Sequence, residues 1–188
     1  MEETPATYQE WYRTLLEQGW VITAVVLDGK RGVAKVFGDI PVQLCQFHQI
    51  KTVTKYITRK PKTRAGWELH SITLRLTKNT EKEFSMLLAN WHARWEQFLC
   101  ERTPCSCCKP NRWPYTHRKL RYAYRSLTTN LPHLFTYQKY PELNIPNTTN
   151  CLDGMFSQIK NRLAVHRGAK KVFRYKIINE ILVGKKRK

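Results

Sequence analysis

The stretch from Val21 to His48 constrains the fold more than any other part of the chain. It opens with Val21-Ile22-Thr23-Ala24-Val25-Val26-Leu27, which is apolar, rich in β-branched residues and without helical spacing. Such a run reads as a strand buried on both faces. It stops abruptly at Asp28-Gly29, and a second run, Pro41-Val42-Gln43-Leu44-Cys45, leads into Cys45-x-x-His48. Between them Val33, Val36 and Phe37 suit a short helix that Gly38 ends. Two short strands joined this way make a βαβ unit with parallel strands. Ligands of such sheets lie beyond the carboxyl ends of the strands. Asp28 stands at one such end, and Cys45 and His48 stand at the neighbouring one. An acid before glycine is also an ordinary turn residue, so Asp28 has a bland reading beside the chemical one.

The remainder reads as helical. Tyr8, Trp11, Tyr12 and Leu15 predict a helix over 8–18, with Thr7 as cap and Gly19 as stop. A helix from Cys45 runs through Ile50, Val53, Thr54 and Ile57, and another covers 65–76. Asn79 or Thr80 caps a long helix reaching about Arg102, with Phe84, Leu87, Leu88, Trp91, Trp95, Phe98 and Leu99 as its apolar stripe. Trp91 and Trp95 are expected in the core. Helix 117–131 buries Leu120, Tyr124, Leu127 and Leu131, whereas 132–146 reads as extended and aromatic. The last helices cover 149–165, with Leu152, Phe156, Ile159 and Leu163 inward, and 171–183.

Charge narrows the partner. Residues 1–101 hold 14 basic and 11 acidic side chains, and residues 102–188 hold 19 basic and 3 acidic. So uneven a surplus suits a polyanion, most simply nucleic acid. No acid occurs between Asp39 and Glu68, while Lys51, Lys55, Arg59, Lys60, Lys62 and Arg64 decorate that stretch. Arg118, Arg121 and Arg125 line one face of a later helix, a row that suits a DNA backbone. His48 is either a phosphate contact or an ordinary packed or capping histidine.

The 6 cysteines do not imply disulfides. The start, Met1-Glu2-Glu3-Thr4-Pro5, is polar and acidic rather than a signal peptide, and Trp20 to Leu27 is too short to span a bilayer. The expected setting is soluble, reducing and cytoplasmic, with no membrane partner. Cys100, Cys105, Cys107 and Cys108 form a cluster near His92 and His117. Zn²⁺ is one reading of it, but zinc ligands usually come in better-spaced pairs, and adjacent cysteines rarely share one ion.

Two blocks carry a family resemblance. Asp28-Gly29-Lys30-Arg31-Gly32, a helix and then Pro41-Val42-Gln43-Leu44-Cys45-Gln46-Phe47-His48 form the first. Asn147-Thr148-Thr149-Asn150-Cys151-Leu152-Asp153-Gly154-Met155-Phe156-Ser157-Gln158-Ile159-Lys160, followed by His166-Arg167-Gly168, forms the second. Together they resemble Mutator-type insertion-sequence transposases, DDE enzymes of prokaryotic mobile elements with a ribonuclease H-like fold. The resemblance implies an α/β chain, a partial ribonuclease H-like fold with parallel strands near 21–27 and 41–45 and a largely helical remainder. It divides the chain into the end of the sheet region (1–60), a helical insertion with the Cys-rich loop (61–146), and a returning catalytic helix with a basic tail (147–188).

By that resemblance Asp28 and Asp153 are catalytic and hold Mg²⁺ or Mn²⁺, hard ions that call for carboxylate oxygens. Cys45 and His48 match the family's Cys-x-x-His signature. His48, Lys51, Lys55, Arg118, Arg121, Arg125, Lys160 and Arg167 are the expected contacts to transposon-end DNA. The family usually has Glu at the position of Asp153, which is one methylene shorter. It also carries a first catalytic aspartate on a strand preceding the region matched here. The chain is therefore expected to be the C-terminal part of a catalytic domain, inactive alone, whose partner is the missing half or an intact transposase. The alternative expectation is a non-catalytic DNA-binding remnant that regulates transposition.

Overall fold

The computed structural model describes residues 4–30, 32–104 and 113–184. The chain forms two compact units, Met1–Thr148 and Thr149–Lys188. Within the first, helix α1 (Pro5–Glu17) is capped by Thr4, whose hydroxyl accepts the Thr7 N–H. The cap lies three residues earlier than Thr7 because Pro5 is pre-set for a first helical turn. Strand β1 (Val25–Leu27) pairs in parallel with β2 (Val42–Leu44), in the register Val25↔Val42, Val26↔Gln43, Leu27↔Leu44.

The strand expected over 21–27 is thus paired only over its last 3 residues. Its partner is the cause. The Val25 N–H donates to the Pro41 carbonyl at 3.0 Å, Pro41 has no N–H to return, and Gly38 (φ +56) has already turned the chain. Val21 is left 85% exposed. The crossover is a single 3₁₀ turn, Ala34–Phe37, which buries Val33 and Phe37.

Helix α2 (Gln46–Ile57) follows β2 directly and ends at Thr58, a β-branched residue at φ +68. Helix α3 (Arg64–Leu74) is capped by Thr63. Helix α4 (Glu81–Cys100) begins with a reciprocal box: the Thr80 N–H donates to the Glu83 carboxylate at 2.8 Å, and the Glu83 N–H to the Thr80 hydroxyl at 3.3 Å. The Thr80 backbone N–H, and after it the Thr80 hydroxyl, hold the Glu83 carboxyl below its ordinary value of 4.5. Helix α5 (Arg118–Leu134) packs on both α2 and α4. No helix among the described residues is long and apolar enough to cross a membrane.

The core joins β1 and β2 to these helices through Leu27, Leu44, Val53, Leu69, Leu88 and Leu127. The α4 stripe packs as its spacing requires: Phe84, Leu88, Trp91 and Leu99 are buried, with Trp95 and Phe98 partly so. Both indoles are also hydrogen-bonded, Trp91 to the Ala65 carbonyl at 3.0 Å and Trp95 to Glu68 at 2.8 Å. Tyr124 lies against Trp91 and His92, and burial pushes its phenol up.

The stretch 132–146 is not extended. Helix α5 runs through Pro132 to Leu134, then helix α6 (Thr136–Lys139) and a 3₁₀ turn (Pro141–Leu143) follow. Tertiary contacts override the local aromatic and proline signal here. Leu134 and Phe135 are fully buried, and the Thr136 hydroxyl donates to the Val42 carbonyl at 2.7 Å.

In the second unit, helix α7 (Asn150–Val165) packs with helix α8 (Lys171–Gly184). Ile159 and Ile181 are buried, but Leu152 is 47% and Phe156 49% exposed. The stripe expected to be inward is therefore covered only in part. A two-helix unit has too little surface to bury both halves of α7.

Candidate functional site

The ladder between the two strands reaches one rung past β1, because the Cys45 N–H donates to the Leu27 carbonyl at 2.7 Å. Asp28 leaves the strand immediately afterwards, so it sits beside the start of α2. Its carboxylate is exposed, and one oxygen accepts the Lys30 N–H at 3.1 Å. Gly29 (φ +93) makes the turn that permits this bond. Asp28 thus holds its turn through one oxygen while its carboxylate stays exposed to solvent.

Cys45 is buried, so its thiol packs rather than faces solvent. His48 is half-buried on the first turn of α2, with its ring edge-on to Phe47 at 6.1 Å. Beyond it Lys51 and Lys55 are exposed, followed by exposed Arg59, Lys60, Lys62 and Arg64. The Lys51 ammonium rests 4.4 Å from the centre of the Phe47 ring.

Three glutamines that the sequence reading passed over hold this end of the unit together. Gln43 and Gln46 are fully buried, and each donates its amide to the Leu134 carbonyl at 2.9 Å. The Gln43 oxygen accepts the Tyr137 N–H at 3.0 Å, and the Gln46 oxygen accepts the Asn147 amide at 3.2 Å. One turn on, Gln49 donates to the Ser126 hydroxyl at 3.1 Å and accepts from Asn130 at 2.8 Å. Polar residues at core-facing positions, repeating every third residue, were the available signal. They tie β2 and the start of α2 to α5, and so set where Asp28 and the basic helix stand.

The arginine row of α5 is not uniform. Arg118 and Arg125 are exposed, but Arg121 donates to the Leu99 carbonyl at 3.0 Å and lies over Tyr115 at 3.8 Å. Arg121 is thus a packing residue, because α5 meets the end of α4 on that face. In the second unit Asp153 lies in the first turn of α7, exposed, with its carboxylate accepting the Thr149 hydroxyl at 3.3 Å. An acid there suits the helix dipole. Lys160 and Arg167 are exposed.

Exposed carboxylates such as Asp28 and Asp153 supply the hard oxygen donors that Mg²⁺ or Mn²⁺ requires, so the donor chemistry fits those ions. Among the described residues no group of 3 or more His, Cys, Asp or Glu side chains gathers to hold a metal. Of the possible zinc ligands, Cys100 is free and exposed, whereas Cys105, Cys107 and Cys108 lie outside the described residues. His92 stacks on Tyr124, and His117 stacks on Phe98 and bonds Glu101 at 2.9 Å. Compared with family models, curated proteins and solved structures, the chain finds no match.

Proposed function

We propose that this chain carries the DNA-holding and metal-carboxylate part of a DDE-type DNA transposase, similar to the Mutator-type enzymes of insertion sequences. One observation supports this above others: an exposed acid at the carboxyl end of a parallel strand pair, beside a basic helix. That is where α/β sheets place their chemistry. On this reading Asp28 and Asp153 hold Mg²⁺ or Mn²⁺. When bound, the ions activate the attacking oxygen and stabilise the leaving one in phosphodiester cleavage and strand transfer. The chain's own cations do the remaining work. Lys51, Lys55, Arg118, Arg125, Lys160 and Arg167 neutralise backbone phosphates, and His48 donates to one of them. Arg121 acts indirectly by fixing Tyr115 and the end of α4.

Iron-directed self-cleavage tests the metal assignment. Fe²⁺ replaces Mg²⁺ in oxygen-ligand sites, and with ascorbate and peroxide it cuts the polypeptide beside the bound ion. The expected cuts near Asp28 are suppressed by excess Mg²⁺ and disappear in Asp28→Asn, and those near Asp153 disappear in Asp153→Asn. Cutting elsewhere, or cutting indifferent to those substitutions, sinks the reading.

A second reading needs only the cations, and the uneven charge of the chain favours it: a non-catalytic DNA-binding protein that regulates transposition. It predicts duplex binding with a steep salt dependence that neither Asp28→Ala nor Asp153→Ala weakens. A metal-dependent gain in affinity, lost in those variants, speaks against it.

A further inference from the structure

Helices α2 and α3 leave an open cleft of about 530 Å³, a size typical of small-ligand sites. Phe47, Ile50, Thr54 and Leu74 give it an apolar floor. Lys51, Lys55 and Arg59 give it a cationic rim with His70 beside them, and no acid among the described residues lines it. Phe47 is 38% and Leu74 51% exposed, and Trp67, one turn before His70 on α3, is also 51% exposed. The nearest α3 acid, Glu68, is taken up by Arg64, Arg94 and the Trp95 indole. Aromatic and apolar surface thus lies partly open beside Lys51, Lys55 and Arg59, none of which is ion-paired among the described residues.

We propose that this cleft binds unpaired nucleotides of single-stranded DNA, with a base on the Phe47 ring and its phosphates on Lys51, Lys55 and Arg59. The inference rests on the nucleic-acid reading above and assigns it a strand state and a place. A duplex presents phosphates to a protein surface but keeps its base faces stacked inside. Only an unpaired base can put a π-face into an apolar recess, and such stacking tolerates any sequence. The row of cations fits a backbone: Lys51 and Lys55 are one turn apart, about 6 Å along the helix axis, and Arg59 lies just past its end. The cleft also contains its own exchange. The Lys51 ammonium covers the Phe47 ring at 4.4 Å, so an incoming base displaces it from the ring, and its long side chain carries the charge to the adjoining phosphate.

The experiment compares binding of the full chain to an oligothymidylate of about 12 nucleotides, within the usual span of such sites, and to a blunt duplex of equal length. Phe47→Ala is expected to weaken single-strand binding about ten-fold, the lower range for one lost stacked base, and to leave duplex binding unchanged. A single strand carrying 5-iodouracil, irradiated on the unsubstituted protein, is expected to cross-link to a peptide holding Phe47 or His70. That arm needs no variant to fold. If single-strand binding ignores Phe47→Ala, if both forms weaken equally, or if cross-links map outside α2 and α3, the cleft assignment is overturned while duplex binding stands. If neither form binds, the nucleic-acid reading itself fails, and this inference with it.

Discussion

Replacing Gln43 with leucine conserves side-chain volume and removes one arm of the glutamine network. The Tyr137 N–H then loses its partner at 3.0 Å and the Leu44 carbonyl loses the Gln43 amide at 2.7 Å, while the Leu134 carbonyl keeps the Gln46 amide at 2.9 Å. One half-buried donor left unpaired costs about 2 kcal/mol. Gln46→Leu is the mirror case: Leu134 keeps Gln43, and only the half-buried Asn147 amide is stranded, for about 1 kcal/mol. The double variant differs in kind. The Leu134 carbonyl, at the end of α5 where no helical donor follows, then loses both side-chain amides in a fully buried position. Its desolvation adds about 1–3 kcal/mol that neither single change incurs. Urea unfolding of the four proteins forms a double-mutant cycle, and the coupling should exceed about 1 kcal/mol in the direction of extra destabilisation. Additivity within about 0.5 kcal/mol, the behaviour of independent sites, would refute the idea that both amides serve one carbonyl.

Other outcomes follow from the same geometry. Thr80→Ala should destabilise by about 1 kcal/mol through loss of the α4 cap. Because the Glu83 carboxyl is held below 4.5, its share of the box is present above that value and fades as pH falls through the lowered one; urea midpoints for wild type and Glu83→Gln should converge in acid. Lys51→Gln with Lys55→Gln should lower the slope of log affinity against log salt for duplex DNA by about 2, close to one per lost phosphate contact. Arg121→Gln should instead lower thermal stability and leave that slope unchanged, since its guanidinium is held by Leu99 and Tyr115.

What the sequence made legible depended on how local the determinant was. The α4 stripe is a property of one helix, and its spacing placed Trp91 in the core, where the structure has it; Trp95, expected there as well, is only partly buried. The stop at Asp28-Gly29 likewise marked a strand end, and Asp153 marked a first helical turn. Pairing length was not local: β1 is short because of Pro41 and Gly38 on the opposite side of the ladder. The fate of Arg121 depended on Tyr115, which no α5 periodicity can reveal. The glutamines were invisible to an apolar pattern because their value lies in satisfying a distant carbonyl, that of Leu134 at the buried end of α5. The exposure of Leu152 and Phe156 reflects how little surface α8 offers α7, a property of the pair rather than of either helix.

Thr58 carries a consequence of its own. At φ +68 and ψ 170 its branched side chain occupies backbone territory where glycine alone is comfortable, a posture worth about 1–3 kcal/mol of strain. Thr58→Gly should therefore raise the unfolding midpoint, against the usual effect of introducing glycine, by about 1 kcal/mol once the looser unfolded chain is allowed for. A lowered midpoint would mean that the threonine sits there at ease. If the gain is found, the chain forgoes stability at the spot where its basic helix hands over to Arg59 and Lys60, and the stiffness of that corner, rather than its contacts, decides where those two charges point.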